Sequence, residues 1–110
     1  SLEGCPKYIS GWFDCSNNRL TSLEYCPEYI GGQFNCTDNE LTTLKGSPSI
    51  KPNSGFIYTG NPLPKEILNF HQIEMLSKYQ YEYGIWKSDG SFNKGRWDIF
   101  IEDFETGLLE

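Results

Sequence analysis

The sequence predicts an α/β protein: a short parallel-sheet solenoid of about three repeats, capped by two C-terminal helices. The first observation is an internal repeat, since residues 2–22 and 23–43 are two copies of one 21-residue motif and residues 44–63 are a third. The second is a change of pattern after residue 63, where apolar residues recur at helical spacing. Repeats of this length stack, because a single copy cannot bury its own apolar face. We therefore divide the chain into repeats, residues 1–63, and a helical cap, residues 64–110.

Each copy contains the pattern Phe-x-Cys-x-x-Asn-x-Leu, with Tyr58 in place of Cys in the third copy. Side chains two positions apart lie on the same face of a strand, so Phe and Cys are predicted to point inward together. The Asn is predicted to turn the chain out of the strand by bonding the backbone. This is the leucine-rich-repeat pattern, with Phe and Cys in two of the leucine positions. It predicts one parallel sheet, irregular chain on the opposite side, and strands over residues 12–15, 33–36 and 56–58.

The residues between the inward positions are predicted to form an outer surface that differs from copy to copy. Such variation on a regular array is typical of a contact surface, although drift at unconstrained surface positions gives the same pattern. Trp12 is the position least compatible with drift, because a large exposed aromatic side chain often marks a contact site. The predicted protein-binding residues are Trp12, Asp14, Ser16, Gln33, Asn35, Thr37, Ile57 and Thr59.

The four cysteines fall at two repeat positions, Cys5 with Cys26 and Cys15 with Cys36. An even count permits two disulfides. Stacking instead predicts buried, reduced thiols in two columns within a dry core, because neighbouring side chains that point the same way are poorly oriented for a bridge. Reduced thiols favour a cytoplasmic setting.

The C-terminal segment is predicted to contain two helices that cover the last coil. The first runs from Lys65 to about Tyr83, and residues 87–91 form a turn. Asn93 is predicted to cap a second helix that ends near Glu105. That helix places an apolar stripe on one face, made of Trp97, Phe100, Ile101 and Phe104.

At the other end, the chain begins within the repeat register, and a first coil without a cap would expose its apolar cross-section. Two explanations are open. The first, which we favour, is a fragment that has lost upstream repeats. The second is an end covered by a partner or by another copy of the chain, that is, self-association through the N-terminal edge.

The sequence contains little that suggests catalytic chemistry. The net charge is −6 and no basic stripe is present, which disfavours binding to nucleic acid or to anionic membranes. The cysteines are spaced 10, 11 and 10 residues apart, unlike paired zinc ligands, and His71 is the only histidine. Acidic residues near the C-terminus are predicted to form the solvated face of a helix. We therefore predict no enzyme activity, no metal and no cofactor.

Two phrases resemble a known family. Leu20-Thr-Ser-Leu-Glu-Tyr-Cys-Pro27 and Gly32-Gln-Phe-Asn-Cys-Thr-Asp-Asn39-Glu-Leu41 are similar to units of the small leucine-rich-repeat proteins of tailed bacteriophages and prophages, as is the later Asn61-Pro-Leu-Pro64. The resemblance covers residues 2–65 well and the tail loosely. It implies a leucine-rich-repeat fold in a bacterial cytoplasm and no particular activity. The third copy departs from the pattern at Ser47 and at residues 51–55, where a looser coil is expected.

Three functions follow as hypotheses. The first is a non-catalytic, phage-encoded protein-interaction module in the host cytoplasm that binds a bacterial host protein, as in host takeover or anti-defence. The second is a structural or self-assembling phage component. The third is a recognition fragment of a larger enzyme or effector.

Overall fold

The computed structural model describes residues 2–50 and 55–109. These residues form a small compact α/β protein with six short parallel strands followed by three helices. Each strand is two residues long, because the chain turns after every few residues. The elements are β1 Tyr8–Ile9, β2 Phe13–Asp14, β3 Tyr29–Ile30, β4 Phe34–Asn35, β5 Ser49–Ile50, β6 Phe56–Ile57, α1 Lys65–Leu68, α2 Ile73–Tyr79 and α3 Lys94–Glu105.

The strands form two open parallel sheets, β1–β3–β5 and β2–β4–β6. In the second sheet, Phe13 pairs with Phe34 and Phe34 with Phe56. This sheet was predicted from the Phe-x-Cys pattern, and its strands are shorter than predicted. The first sheet was not predicted, and the expectation of irregular chain on that side is wrong. Two-residue strands are too short to show an alternating apolar pattern, so periodicity gives no sign of them.

Phenylalanine rings stack in a column through the three coils. The ring centroids of Phe13 and Phe34 are 5.8 Å apart, and those of Phe34 and Phe56 are 5.1 Å apart. Phe34 and Phe56 are buried, whereas Phe13 is half-buried because no described residue packs on its outer side. The predicted alignment of equivalent positions is therefore confirmed.

The cysteine positions differ from one another in burial. Cys15 and Cys36 are buried as predicted, but Cys5 and Cys26 are only half-buried, so the prediction that both columns lie in a dry core is wrong for the second column. All four are free thiols in the structure.

The third coil departs from the repeat in two places. Ile50 pairs with Ile30 after 20 residues, whereas Phe56 pairs with Phe34 after 22. Compared with the second coil, the third therefore has one residue fewer before β5 and two more between β5 and β6. Together these changes give the single extra residue seen in the sequence. The looser coil was expected at residues 51–55; residues 51–54 lie outside the described residues.

The region predicted as one helix from Lys65 to Tyr83 contains two, so the prediction of two C-terminal helices is wrong. The break between α1 and α2 falls at residues 69–72. It turns Phe70 into an aromatic cluster, where its ring lies edge-on to Trp97 at 5.4 Å and to Phe100 at 5.5 Å. The helix α3 begins after Asn93 as predicted, with Asn93 Oδ1 accepting a hydrogen bond from Arg96 N–H.

The helical segment lies against the third coil, where α2 packs on β5. Gln80 is 1% exposed and its amide bridges Ser47 and Trp86. Tyr81 adds a second connection, since its hydroxyl accepts a hydrogen bond from Gly46 N–H and donates one to the Ser47 carbonyl. Within residues 2–50 and 55–109, no helix has both the length and the apolar composition that a membrane span requires.

Candidate protein-binding surface

The eight residues predicted to bind protein lie on or beside the sheet β2–β4–β6. Asp14, Asn35 and Ile57 are paired in register across the three strands. They are exposed or half-buried, while the Phe residues that precede them point into the core. Strand alternation therefore brings the predicted residues together on the outer face of this sheet. We call this outer face the sheet surface; it consists of Trp12, Asp14, Ser16, Gln33, Asn35, Thr37, Ile57 and Thr59.

Trp12 is the most exposed large apolar residue of the described chain, with 80% of its surface accessible. Its indole lies over Gly32, where an added Cβ would be 2.5 Å from the indole Cδ1. The glycine therefore leaves room for the ring to rest on the backbone of the second coil. An exposed indole held by its edge offers a large apolar contact area at little conformational cost.

The polar half of the sheet surface repeats one local motif. Asp14 Oδ1 accepts hydrogen bonds from the Ser16 hydroxyl at 2.6 Å and from Ser16 N–H at 2.9 Å. Asn35 Oδ1 accepts the corresponding bonds from Thr37 at 2.8 and 3.0 Å. The Ser16 hydrogen bonds, the hydroxyl one first, hold the pKa of Asp14 below its usual value. Asp14 therefore gives this part of the surface a fixed negative charge at neutral pH.

The third coil ends this polar motif. Ile57 pairs with Asn35 on the neighbouring strand, and its side chain has no acceptor atom. Thr59 therefore cannot make the hydrogen bond that Thr37 makes to Asn35. Ile57 is half-buried and Thr59 is exposed. The sheet surface therefore differs from coil to coil: it is acidic and aromatic at the first coil, and an apolar Ile57 replaces the amide at the third.

A shallow groove of about 460 Å³ lies beyond the sheet surface, between the second and third coils and the turn that precedes α3. None of the predicted binding residues lines it. Leu63 and Phe92 supply apolar walls, and Asp89 and Ser91 are hydrogen-bonded to each other at 2.6 Å. Asp89 and Ser91 already bond each other, so neither is free to orient a ligand in the groove.

An exposed aromatic pair lies on the other sheet and was missed by the sequence interpretation. Tyr8 and Tyr29 stack with their ring centroids 4.7 Å apart, and Tyr8 is 69% exposed. The signal that would have revealed it is the dipeptide Tyr-Ile, which recurs at residues 8–9 and 29–30. Equal spacing places the two rings one above the other, as it does for the Phe column.

The described residues offer little for acid–base or metal chemistry. No group of three or more His, Cys, Asp or Glu side chains in residues 2–50 and 55–109 is arranged to hold a metal ion. Burial raises the pKa of the Cys15 thiol to about 11 and that of Cys26 to about 12. The pKa of Cys36 is raised further for the same reason. These thiols are protonated at neutral pH, and a thiol is a far weaker nucleophile than a thiolate.

Comparison with protein-family models, with curated proteins and with solved structures found no significant match. The repeat and the geometry of the sheet surface are therefore the features of this chain that bear on its function.

Proposed function

We propose that this chain is a leucine-rich-repeat solenoid that binds a protein partner through the sheet surface and has no catalytic role. The observation that carries the proposal is Trp12, an indole that is 80% exposed at the end of a row of paired side chains. Parallel strands in register present outward side chains at fixed spacing, and solenoids use such surfaces for binding. The solenoid interpretation is supported by the pairing of equivalent residues about one repeat apart.

The partner we propose is a bacterial host protein in the host cytoplasm. This part of the proposal rests on the resemblance of residues 20–27 and 32–41 to units of phage repeat proteins. It is supported by the free thiols, which suit a reducing compartment. Asp14 at one end of the sheet surface favours a partner that places a basic side chain beside an apolar pocket for Trp12.

Capture from a bacterial lysate tests the proposal with paired variants. Trp12→Ala with Gln33→Ala removes two side chains that make no hydrogen bond within the described residues, so we expect the variant to fold. The control is Leu108→Ala, which removes a 70% exposed apolar side chain far along the chain. Captured proteins are quantified by mass spectrometry, and the thermal midpoint of each variant is recorded.

The expected result is one or a few proteins that are captured by the parent and by the Leu108 variant but lost with the double variant. Loss of such a hot-spot aromatic typically costs about 2 kcal/mol or more in binding, a reduction in affinity of about 30-fold. Equal capture by the parent and by the folded double variant would refute the sheet surface as the binding site.

A further inference from the structure

Cys5 and Cys26 occupy the same repeat position in the first and second coils, and the chain makes the same turn at each. The N–H of Cys5 donates to the Leu2 carbonyl at 3.1 Å. The N–H of Cys26 makes the equivalent hydrogen bond to the Leu23 carbonyl at 3.0 Å. Both cysteines are free thiols. Because the two coils repeat the same turn, the two thiols lie one above the other.

The distance between the first and second coils sets the distance between these two side chains. Neighbouring parallel strands lie about 4.8 Å apart. The rings of Tyr8 and Tyr29, which also occupy equivalent positions, have their centroids 4.7 Å apart. The N–H of Glu28 donates to the Lys7 carbonyl at 2.7 Å, so the coils are closely stacked in this part of the chain. We therefore place the two cysteine side chains about 4.8 Å apart, since equivalent atoms of stacked coils are displaced by one coil spacing.

A disulfide does not suit this spacing. Its two sulfur atoms are about 2.0 Å apart and its two Cβ atoms about 3.5–4.5 Å apart. Equivalent Cβ atoms separated by one coil lie beyond that range. A bridge between Cys5 and Cys26 would therefore have to pull the coils together, and the hydrogen bonds that join the coils nearby oppose such a movement.

The same spacing suits a soft metal ion held in line between two thiolates. A Zn–S bond is about 2.3 Å long, and other soft ions with a filled d shell form bonds of similar length to sulfur. Two such bonds in line place the sulfur atoms about 4.6 Å apart, which is close to one coil spacing. Thiolate ligands select Cu(I), which accepts two ligands in line. Cu(I) is also the form of copper that persists under the reducing conditions that keep thiols free.

Access to solvent distinguishes this pair of thiols from the inner pair. Cys5 and Cys26 are half-buried, so an ion can enter between them and its charge stays partly hydrated. Cys26 is half-buried even though described coils lie on both sides of it. Cys15 and Cys36 are 6% and 0% exposed, and the Cys36 thiol donates to the Ile57 carbonyl at 3.5 Å. An ion between the inner pair would add charge and volume to a closed core.

We propose that Cys5 and Cys26 form a two-coordinate site for Cu(I) between the first and second coils. Binding exchanges one ion for two protons: each thiol releases its proton to solvent, each sulfur forms one bond to copper, and no atom changes its oxidation state. A structural zinc site needs four ligands, whereas here two ligands from neighbouring coils are sufficient. The site uses none of the eight residues of the sheet surface, so it is independent of the proposed protein partner.

The surroundings of the pair agree with a site of two ligands. Within residues 2–50 and 55–109, no three His, Cys, Asp or Glu side chains are arranged to hold one ion. The third coil has Ser47 at this repeat position, and its hydroxyl accepts a hydrogen bond from Gln80, so the site is confined to the first two coils. Burial, and then the nearby Cys15 and Cys5 thiols, raise the pKa of Cys26 to about 12. That thiol is therefore protonated until an ion displaces its proton.

Anaerobic competition with a Cu(I) chelator tests the site. The probe is Cu(I) supplied as its bicinchoninate complex with ascorbate present, and the loss of absorbance of that complex gives the stoichiometry and the affinity. We expect the parent to bind one Cu(I) per chain. Cys5→Ser and Cys26→Ser should each weaken binding at least about 100-fold, because loss of an outer-shell partner alone costs about 10–100-fold. Both variants are expected to fold, since the third coil carries serine at this position.

Cys15→Ala and Cys36→Ala are the matched controls, because they remove the thiols of the inner pair at the same coil spacing. Both should bind Cu(I) as the parent does, and circular dichroism checks that each variant is folded. Alkylation with iodoacetamide, followed by mass spectrometry, maps the ligands in the parent itself. Cu(I) is expected to protect Cys5 and Cys26 from alkylation. This map identifies the ligands even if a substitution prevents folding.

Several results would overturn the proposal. A folded parent that takes no Cu(I) from bicinchoninate excludes the site, and so does unchanged affinity in the folded Cys5→Ser or Cys26→Ser variant. Loss of binding in a folded inner-pair variant would assign the ion to Cys15 and Cys36 instead. Formation of a disulfide between Cys5 and Cys26 in place of bound copper would replace the metal site with a redox bridge. Displacement of Cu(I) by an equal concentration of Zn(II) would contradict the two-coordinate geometry, because Zn(II) prefers four ligands.

Discussion

Gln80 Nε2 donates a hydrogen bond of 2.8 Å to the hydroxyl oxygen of Ser47. Ser47 occupies the repeat position at which the first two coils carry Cys5 and Cys26. The exception in the repeat therefore has a physical reason. At Ser47 the third coil meets the buried Gln80 amide, which needs an oxygen acceptor that a thiol replaces poorly.

Replacing Ser47 by Ala is expected to lower the free energy of unfolding by about 1–3 kcal/mol, because the buried Gln80 amide would lose its acceptor. Ser88→Ala is the matched control, since Ser88 is exposed and its hydroxyl makes no hydrogen bond within the described residues. Urea unfolding followed by tryptophan fluorescence measures both. Equal stability of the two variants would show that the Gln80–Ser47 bond contributes nothing.

Tyr25 has a backbone conformation that suits glycine. Its φ is +69°, and the equivalent residues of the other coils are Gly4 at +91° and Gly46 at +95°. A non-glycine residue in this region costs roughly 1–2 kcal/mol. Tyr25 is 54% exposed, so little packing is lost on truncation. We expect Tyr25→Gly to raise the free energy of unfolding by about 1 kcal/mol, after the entropy cost of glycine is deducted.

Gly46→Ala is the reverse experiment at the equivalent position. The added Cβ would lie 3.0 Å from the Leu23 carbonyl oxygen at a positive φ, so a loss of stability is expected. Thermal unfolding of both variants measures the pair. A destabilised Tyr25→Gly protein beside an unaffected Gly46→Ala protein would contradict the assignment of strain to this turn.

Asn93 is expected to stabilise α3 as its N-cap, because its Oδ1 accepts the Arg96 N–H at 3.1 Å. Asn93→Ala should cost about 1 kcal/mol, while Asn93→Asp keeps an acceptor at the same place and should cost much less. Thermal midpoints and the helical signal in circular dichroism report the change. If both variants lost the same stability, the Asn93 side-chain oxygen would not be the source of the stabilisation.

The buried Cys15 thiol and the half-buried Cys26 thiol predict a loss of stability in alkali. The pKa of Cys15 rises from 9.0 to about 11 and that of Cys26 to about 12, in both cases because burial disfavours the thiolate. Above pH 9 the unfolded chain loses these protons while the folded chain keeps them, so unfolding becomes more favourable. The contribution of these thiols to the free energy of unfolding is complete below pH 9 and is lost as the pH rises towards 11–12.

Urea midpoints at pH 7.5, 9 and 10.5 measure this loss. A Cys15→Ala variant is the control: it is less stable at every pH because a buried side chain is shortened, but its midpoint should fall less steeply above pH 9. Native alkylation at pH 8 gives a second readout, with Cys15 and Cys36 expected to react only after unfolding. A midpoint that does not change from pH 9 to 10.5 would contradict the pKa assignment.

The sheet surface was predicted from the sequence as a set of positions, and the structure places those positions together. Regular spacing was sufficient for this, because residues 21 or 22 apart, such as Asp14, Asn35 and Ile57, lie side by side once the coils stack. Its chemistry was not predicted in the same way. The hydrogen bond between Asp14 and Ser16 and the packing of the Trp12 indole on Gly32 both depend on side-chain geometry. Residue spacing does not define that geometry.

The sequence by itself determined the stacking of the coils and the inward column of Phe13, Phe34 and Phe56, because a repeat encodes the same local structure each time and identical apolar faces can only be buried against one another. Only the tertiary structure decided where the helical segment breaks and why Ser47 departs from the repeat. Phe70 turns towards an aromatic cluster about 30 residues away in the sequence, and Ser47 meets Gln80 across 33 residues. Local propensity carries no information about such distant contacts, so these features appear only once the chain is folded.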